Sequence, residues 1–374
     1  MVKAASSGRI GQLQSLRFIA AALVLYGHVL MEMRQHGSGF GGWFYDLPWG
    51  SGVDVFFIIS GFIMLFISGS VPRRFSAATD FLIKRILRIV PLYWFFTFAM
   101  AAVVLISPSD VSTSTLFTDE LARSLLFIPY APVGRFEMVP LLGQGWTLNY
   151  ELFFYALFAF VLALTLRRYL WATVSLAALA TVGAVVPLPP AIAFLCHPML
   201  LLFIAGLVLA RWHEVIPRHG FVVVLALLAA AIVWSVTIGR TQEQGTWLRL
   251  GLRGLPAIAL VYALLFWRNP PGFITHGIFP LLGDASYALY LSHPFVVNAL
   301  LIVFAKLGLP LDFFFAVVSV AASVLVSVVV FMMLERPFLR WTTRVYKEST
   351  IGRRLGARLP VRTDSLAFKP GTIS

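Results

Sequence analysis

The sequence predicts an all-α fold: a polytopic membrane helix bundle of about ten transmembrane helices, with both termini cytoplasmic. Three observations lead there. Of the 374 residues, 59% are apolar and only 12% are charged, whereas a soluble domain carries about 25% charged residues; mean hydropathy is +0.87. Apolar runs near the roughly 20 residues of a bilayer crossing recur from end to end. Lysine and arginine gather beyond alternate ends of those runs, as topology signals do. The net charge of +13 would suit nucleic acid, but the basic residues cap apolar runs and fill the C-terminal tail. That pattern points to membrane lipid, anionic on the cytoplasmic side, and excludes nucleic acid as a partner.

The spans are expected near 13–33, 52–70, 87–106, 146–166, 170–187, 191–210, 220–238, 250–267, 284–305 and 312–334, the fifth and sixth joined only by "PLPP". With the N-terminus inside, 21 of the 29 lysines and arginines fall on inner segments and 7 on outer ones. Trp43, Trp49, Trp146, Trp212, Trp247, Trp267 and Trp341 fall near span ends, as an interfacial belt would. The first run lacks a small-residue cleavage site behind it and reads as a retained span rather than a signal peptide. The organisation is therefore a short cytoplasmic tail (1–12), one transmembrane domain (13–341), and a basic cytoplasmic tail (342–374), disordered or lying on the inner leaflet. Residues 107–145 form a long outer loop placed to cover or line a site. The one cysteine, Cys196, excludes an intrachain disulfide and reads as a small buried hydrophobe.

Polar groups inside the spans carry the functional information, because an ionisable side chain in hydrocarbon is costly, about 2.5–3.5 kcal/mol for Arg at a helix centre on insertion scales. The first span, "LQSLRFIAAALVLYGHVLMEM", holds Arg17 and His28. Eleven residues come within about 20° of three helical turns, so the two share a face, roughly 16 Å apart along the axis. A shared face suggests one cavity; the plainer alternatives are an Arg17 that snorkels to the interface and a His28 that bonds a neighbouring helix. The second span opens "GVDVFFIISGF". Asp54 lies about one turn in, at the height of His28, and is expected to orient that imidazole, unless it serves its own helix start. Ser60 and Gly61 read as packing residues. In "KRILRIVPLYW", Arg85 and Arg88 project from one face. Two guanidinium forks suit a phosphate, although plain positive-inside charge has the same spacing.

Glu151, in "QGWTLNYELFFY", is placed to join His28 and Asp54 or to pair with Arg17 or an outer Arg. In "SYALYLSHPF", Ser286 and His293 are seven apart on one face, and the Pro after His293 frees a backbone carbonyl that the imidazole is equally able to bond. Glu335, in "MLERPFLR", is expected to pair with Arg85 or Arg88 at the inner boundary. His36, His197, His213, His219 and His276 fall at span ends or in loops and read as solvated or interfacial. The sequence has no Walker A loop, HExxH, CxxC pair or GxSxG elbow, so no metal site is expected.

In this order the chain resembles the bacterial membrane-bound acyltransferase family 3. The resemblance rests on the R-x10-H pair Arg17 and His28, "GVDVFFIISGF", Arg85 and Arg88 followed by "IVPLYW", "WTLNYE", "SYALYLSHPF" and the closing "ERPF", which run in order over residues 13–338. The absence of an additional periplasmic domain is similar to the shorter members that decorate exopolysaccharide, of the rhizobial succinoglycan acetyltransferase type. Two departures leave acceptor preference more open: Thr147 where Ser is common after the Trp, and Ser292 where Trp is common before the His.

The resemblance implies an enzyme of the bacterial inner membrane that transfers an acyl group, usually acetyl, from cytoplasmic acyl-CoA to a sugar hydroxyl. It implies His28, Asp54, Arg17 and Glu151 as catalytic residues, and Arg85, Arg88, Tyr93, Trp146, Ser286, His293 and Glu335 as substrate-binding ones. Acyl-CoA is then a substrate, with no tightly bound cofactor. The acceptor is polysaccharide or a lipid-linked oligosaccharide, within a polysaccharide-assembly complex. The residues alone also fit a proton-coupled secondary transporter of a small polar or anionic solute, or a non-catalytic assembly partner. No internal repeat supports the transporter.

Overall fold

A computed structural model describes residues 2–40, 47, 49–68, 72–106, 118–131, 138–238 and 250–349. Trp43, Trp247, Arg135, Arg240, Arg249, parts of the outer loop and the tail beyond residue 349 lie outside the described residues. The helices, in order, are α1 (Val2–Gln35), α2 (Ser51–Ser68), α3 (Phe75–Ile106), α4 (Thr118–Leu125), α5 (Trp146–Leu164), α6 (Arg168–Val185), α7 (Pro190–Leu195), α8 (Leu200–Arg211) and α9 (Phe221–Ile238). They continue with α10 (Leu255–Leu265), α11 (Gly272–Thr275), α12 (Ile278–Asp284), α13 (Ser286–Leu307), α14 (Phe313–Val330) and α15 (Arg336–Glu348). Among the described residues there is no strand, and eight helical segments are long and apolar enough to cross a membrane. Shorter apolar helices, Phe221–Trp234 and Leu250–Leu265, stand where the seventh and eighth spans are expected. Large apolar side chains such as Phe98, Phe160, Val222 and Leu325 are exposed on the outer faces, as lipid-facing positions require.

Close backbone approach holds the centre together. α2 is the most deeply enclosed span. A Cβ on Gly61 would run into the backbone of Phe203 in α8, and one on Gly206 into the backbone of Ile58 in α2. Small residues let helices come this near, which is where packing attraction in lipid is found. On its other side Gly52 meets the Ala20 carbonyl of α1.

The structure departs from expectation at its ends and breaks. α1 begins at Val2, so the expected N-terminal tail is helical; Gln12 Nε2 donates to the Leu264 carbonyl at 2.8 Å and ties this end to α10. α3 begins at Phe75 rather than near residue 87, because buried Asp80 anchors the extra turns, accepting from Lys84 at 2.7 Å and from the Tyr346 hydroxyl at 3.0 Å. That second bond also docks α15, so the tail expected from residue 342 is helical to Glu348. The sixth span is split into α7 and α8 around Pro198, whose missing N–H and bulky ring oppose a continuous helix. Cys196 at this break is buried. α14 runs into α15 through a π turn, Phe331–Glu335, placed where the ring of Pro337 crowds the turn before it.

The connection before α13 is folded onto α1. Ser15 Oγ donates to the Ile274 carbonyl at 2.7 Å, and Gly11 and Gly283 bring α1 against the backbones of Thr275 and Gln14. In the outer loop, Ser124 gathers the chain. Its Oγ lies 3.1 Å from the Tyr130 hydroxyl and accepts from Leu141 N at 2.9 Å.

Candidate active site

Toward the N-terminal end of α1 the bundle encloses a cavity of about 910 Å³, counted with its open mouth. Arg17 reaches it from α1, Ser60 from α2, Arg85 and Arg88 from α3, Glu151 and Tyr155 from α5, and Tyr287 and Tyr290 from α13. Arg17, Arg85, Arg88 and Glu151 are thus brought together. Arg17 Nη1 donates to Gln14 Oε1 at 3.0 Å, and Gln14 Nε2 donates in turn to Asp284 Oδ1. The Arg85 guanidinium lies over the rings of Phe81 and Tyr155, at 5.6 and 5.9 Å. Among the described residues, no carboxylate lies within 4.0 Å of any of the three guanidiniums. Three cations in a low-dielectric setting without a close counter-ion favour an anionic guest.

Glu151 is fixed by two donors on one oxygen, Ser60 Oγ at 3.1 Å and the Tyr155 hydroxyl. Ser60, expected only to pack, is therefore part of the site. Burial raises the carboxyl pKa of Asp284, although Arg17, Arg88 and Arg336 pull it down. Glu335 is buried, and its Oε2 has no hydrogen-bond partner. The expected ion pair with Arg85 or Arg88 does not form: neither guanidinium lies within 4.0 Å of the Glu335 carboxylate.

His28 does not line this cavity, although it shares the Arg17 face. Its outer wall is Tyr290, whose hydroxyl lies 2.9 Å from Thr147 Oγ1 and donates to the Gln144 carbonyl at 3.1 Å. Beyond Tyr290, at 6.3 Å between ring centroids, is His293, and His293 Nε2 lies 3.1 Å from His28 Nδ1. His28 is half-buried; His293 is fully buried. The expected His28–Asp54 bond is not made. Asp54 is buried in the first turn of α2, where the helix N-terminus favours a carboxylate, and the imidazole turns to α13 instead.

Three other expected binding residues lie off the cavity. Tyr93 is buried beyond Pro91, its hydroxyl donating to the Ser124 carbonyl at 3.2 Å and its ring 4.7 Å from that of Phe127. Trp146 opens α5 and packs edge-on to Tyr150 at 6.0 Å. Ser286 is wholly buried at the start of α13, and its Oγ has no partner. Two of the histidines read as solvated pack on aromatic rings: His213 on Phe66 at 5.3 Å and His219 on Tyr262 at 4.7 Å. The residues that sequence reasoning missed are Gln14, Asp284, Tyr155, Tyr287 and Tyr290. Gln14 had a local signal, lying one helical turn before Arg17 on the same face; the others are of ordinary types in apolar runs.

A membrane bundle with a cationic cavity beside a histidine pair fits a membrane-embedded group-transfer enzyme or a carrier, and comparison with known proteins gives the family. The model of the acyltransferase domain of acyltransferase family 3 matches residues 10–332, so the chain belongs to that family and is an acyltransferase. The chain is 35% identical over 308 residues to the exopolysaccharide production protein ExoZ of Rhizobium meliloti (strain 1021), covering 78% of this chain and 89% of that one. It is 29% identical over 235 residues to Nodulation protein 10 of Rhizobium leguminosarum bv. viciae, covering 56% of this chain and 62% of that one. No solved structure matches. The family weighs against the transporter.

Proposed function

We propose that the protein transfers an acyl group, acetyl in the first instance, from acyl-CoA to a hydroxyl of an exopolysaccharide or its lipid-linked oligosaccharide precursor. One observation carries the donor assignment: Arg17, Arg85 and Arg88 converge on one cavity, with no carboxylate among the described residues in ion-pair distance. Coenzyme A offers a pyrophosphate and a further phosphate to such a cluster, and each fork of N–H donors matches phosphate geometry. The acceptor class is supported by the relative named for exopolysaccharide production, which this chain matches over most of both lengths. The distribution of Lys and Arg supports a bacterial inner-membrane protein with both termini in the cytoplasm, so that the three arginines face the compartment holding acyl-CoA.

In this reading the sugar hydroxyl oxygen attacks the thioester carbonyl carbon while its proton passes to His28. The C–S bond breaks, and the departing thiolate takes the proton back from His28 to leave as CoA thiol. A placed base contributes about 10²–10⁴ in rate. Tyr290 and Thr147 close the cavity on the histidine side. The thioester must pass this wall, and exclusion of water there limits wasteful hydrolysis. The test is reconstitution of the purified protein with labelled acetyl-CoA and an exopolysaccharide oligosaccharide. Alkali-labile label on the sugar is expected. Movement of label across the membrane without ester formation would overturn the reading.

A further inference from the structure

We propose that His293 is the positioning residue for His28: it accepts a hydrogen bond from His28 Nδ1, so that the neutral His28 ring presents an unprotonated Nε2 as its basic atom. The proposal deepens the acyl-transfer reading and rests on it for its kinetic arm alone. The argument is one of tautomers. His293 Nδ1 lies 3.0 Å from the carbonyl oxygen of Leu289, one turn back in α13. A carbonyl only accepts, so His293 Nδ1 carries the proton. In a neutral imidazole the other nitrogen is then an acceptor. That nitrogen, Nε2, lies 3.1 Å from His28 Nδ1, so His28 Nδ1 is the donor and His28 Nε2 holds a lone pair. The rings are 4.9 Å apart at 58°, an angled approach that suits an N–H···N bond rather than stacking.

Burial makes the arrangement rigid. His293 is fully enclosed, and its ring is held at both nitrogens. His28 keeps exposed surface for a substrate. A carboxylate partner would demand a buried charge in the resting protein, which low-dielectric surroundings penalise; an imidazole supplies the acceptor without one. When His28 Nε2 takes the hydroxyl proton, the positive charge is shared across the Nδ1–H···Nε2 bond. The Nδ1 proton stays within the pair, and the Nε2 proton leaves with the thiolate.

Two measurements test this. Nitrogen-15 NMR of histidine-labelled wild-type protein, with the His28 resonances assigned by their loss in His28→Ala, is expected to show neutral His28 protonated at Nδ1. Protonation at Nε2 overturns the proposal. In the acyl-transfer assay, His293→Leu is expected to lower kcat by about 10–100-fold, the usual range for losing a group that orients a histidine, with both KM values little changed. His293→Gln, whose amide oxygen stands in for Nε2, is expected to recover most of that loss. Wild-type kcat in His293→Leu, or a Gln variant no better than Leu at wild-type melting temperature, overturns the proposal. If the wild type transfers no acyl group yet shows the Nδ1–H tautomer, the acyl reading fails and the pairing stands.

Discussion

His28 Nδ1 and His293 Nε2 lie 3.1 Å apart, although the two residues are 265 positions apart in the chain. The contact joins the first span to α13 and puts the imidazole pair on one side of Tyr290, with the arginine-lined cavity on the other. In the proposed function donor binding and proton transfer therefore rest on different residues, and substitutions are expected to separate them.

Arg85→Ala and Arg88→Ala are each expected to raise the KM for acyl-CoA by about 10-fold or more, since a hydrogen bond to a charged group is worth about 1.5–3 kcal/mol. The KM for the sugar is expected to stay constant. Steady-state kinetics with each substrate varied in turn checks both.

Gln14 links Asp284 to Arg17 through its amide. Gln14→Leu frees the guanidinium to swing and is expected to raise the donor KM several-fold without lowering kcat. A matching drop in kcat at constant KM would assign Gln14 to the chemistry rather than to the donor.

Among the described residues, Glu151 is the one carboxylate lining the cavity, and its oxygen accepts from Ser60 and Tyr155. Glu151→Gln keeps an acceptor oxygen but removes the negative charge, so the donor KM should fall. Glu151→Ala strands both hydroxyl donors and should cost about 1–3 kcal/mol of stability, read as a lower melting temperature in detergent.

Gly206→Leu forces side-chain atoms into the α2 backbone at Ile58. Overpacking of this kind costs about 1–3 kcal/mol or more. Loss of the folded, monodisperse protein on size exclusion is expected, while Gly251→Ala, with open space around its Cβ position, should be silent.

The bundle was largely legible because its causes are local: apolar runs of span length, charges at their ends, and Gly61 as a packing residue on α2. Arg17 and Glu151 were legible for a related reason: each is an ionisable group where hydrocarbon makes one costly. Arg85 and Arg88 were legible from a spacing that puts both on one helix face. Partnership was not legible. Asp54 was matched to His28 by depth alone, and depth carries no azimuth; Asp54 is buried in the first turn of α2, and His28 Nδ1 lies beside His293 instead. The Gln14–Asp284 bond spans 270 positions and joins common polar residues. Tyr290 looked like one more aromatic in an apolar run, and its hydroxyl acquires meaning only beside Thr147. Pro198 splits the sixth span into α7 and α8.

The account depends most on His28 as the group that takes the acceptor proton. The direct measurement is single-turnover transfer from labelled acetyl-CoA to oligosaccharide by wild-type protein and by His28→Ala at equal donor occupancy. His28→Ala is expected to insert, melt and bind CoA as wild type does, yet to transfer at least about 10²-fold more slowly. Transfer by His28→Ala at a rate near that of the wild type would contradict it.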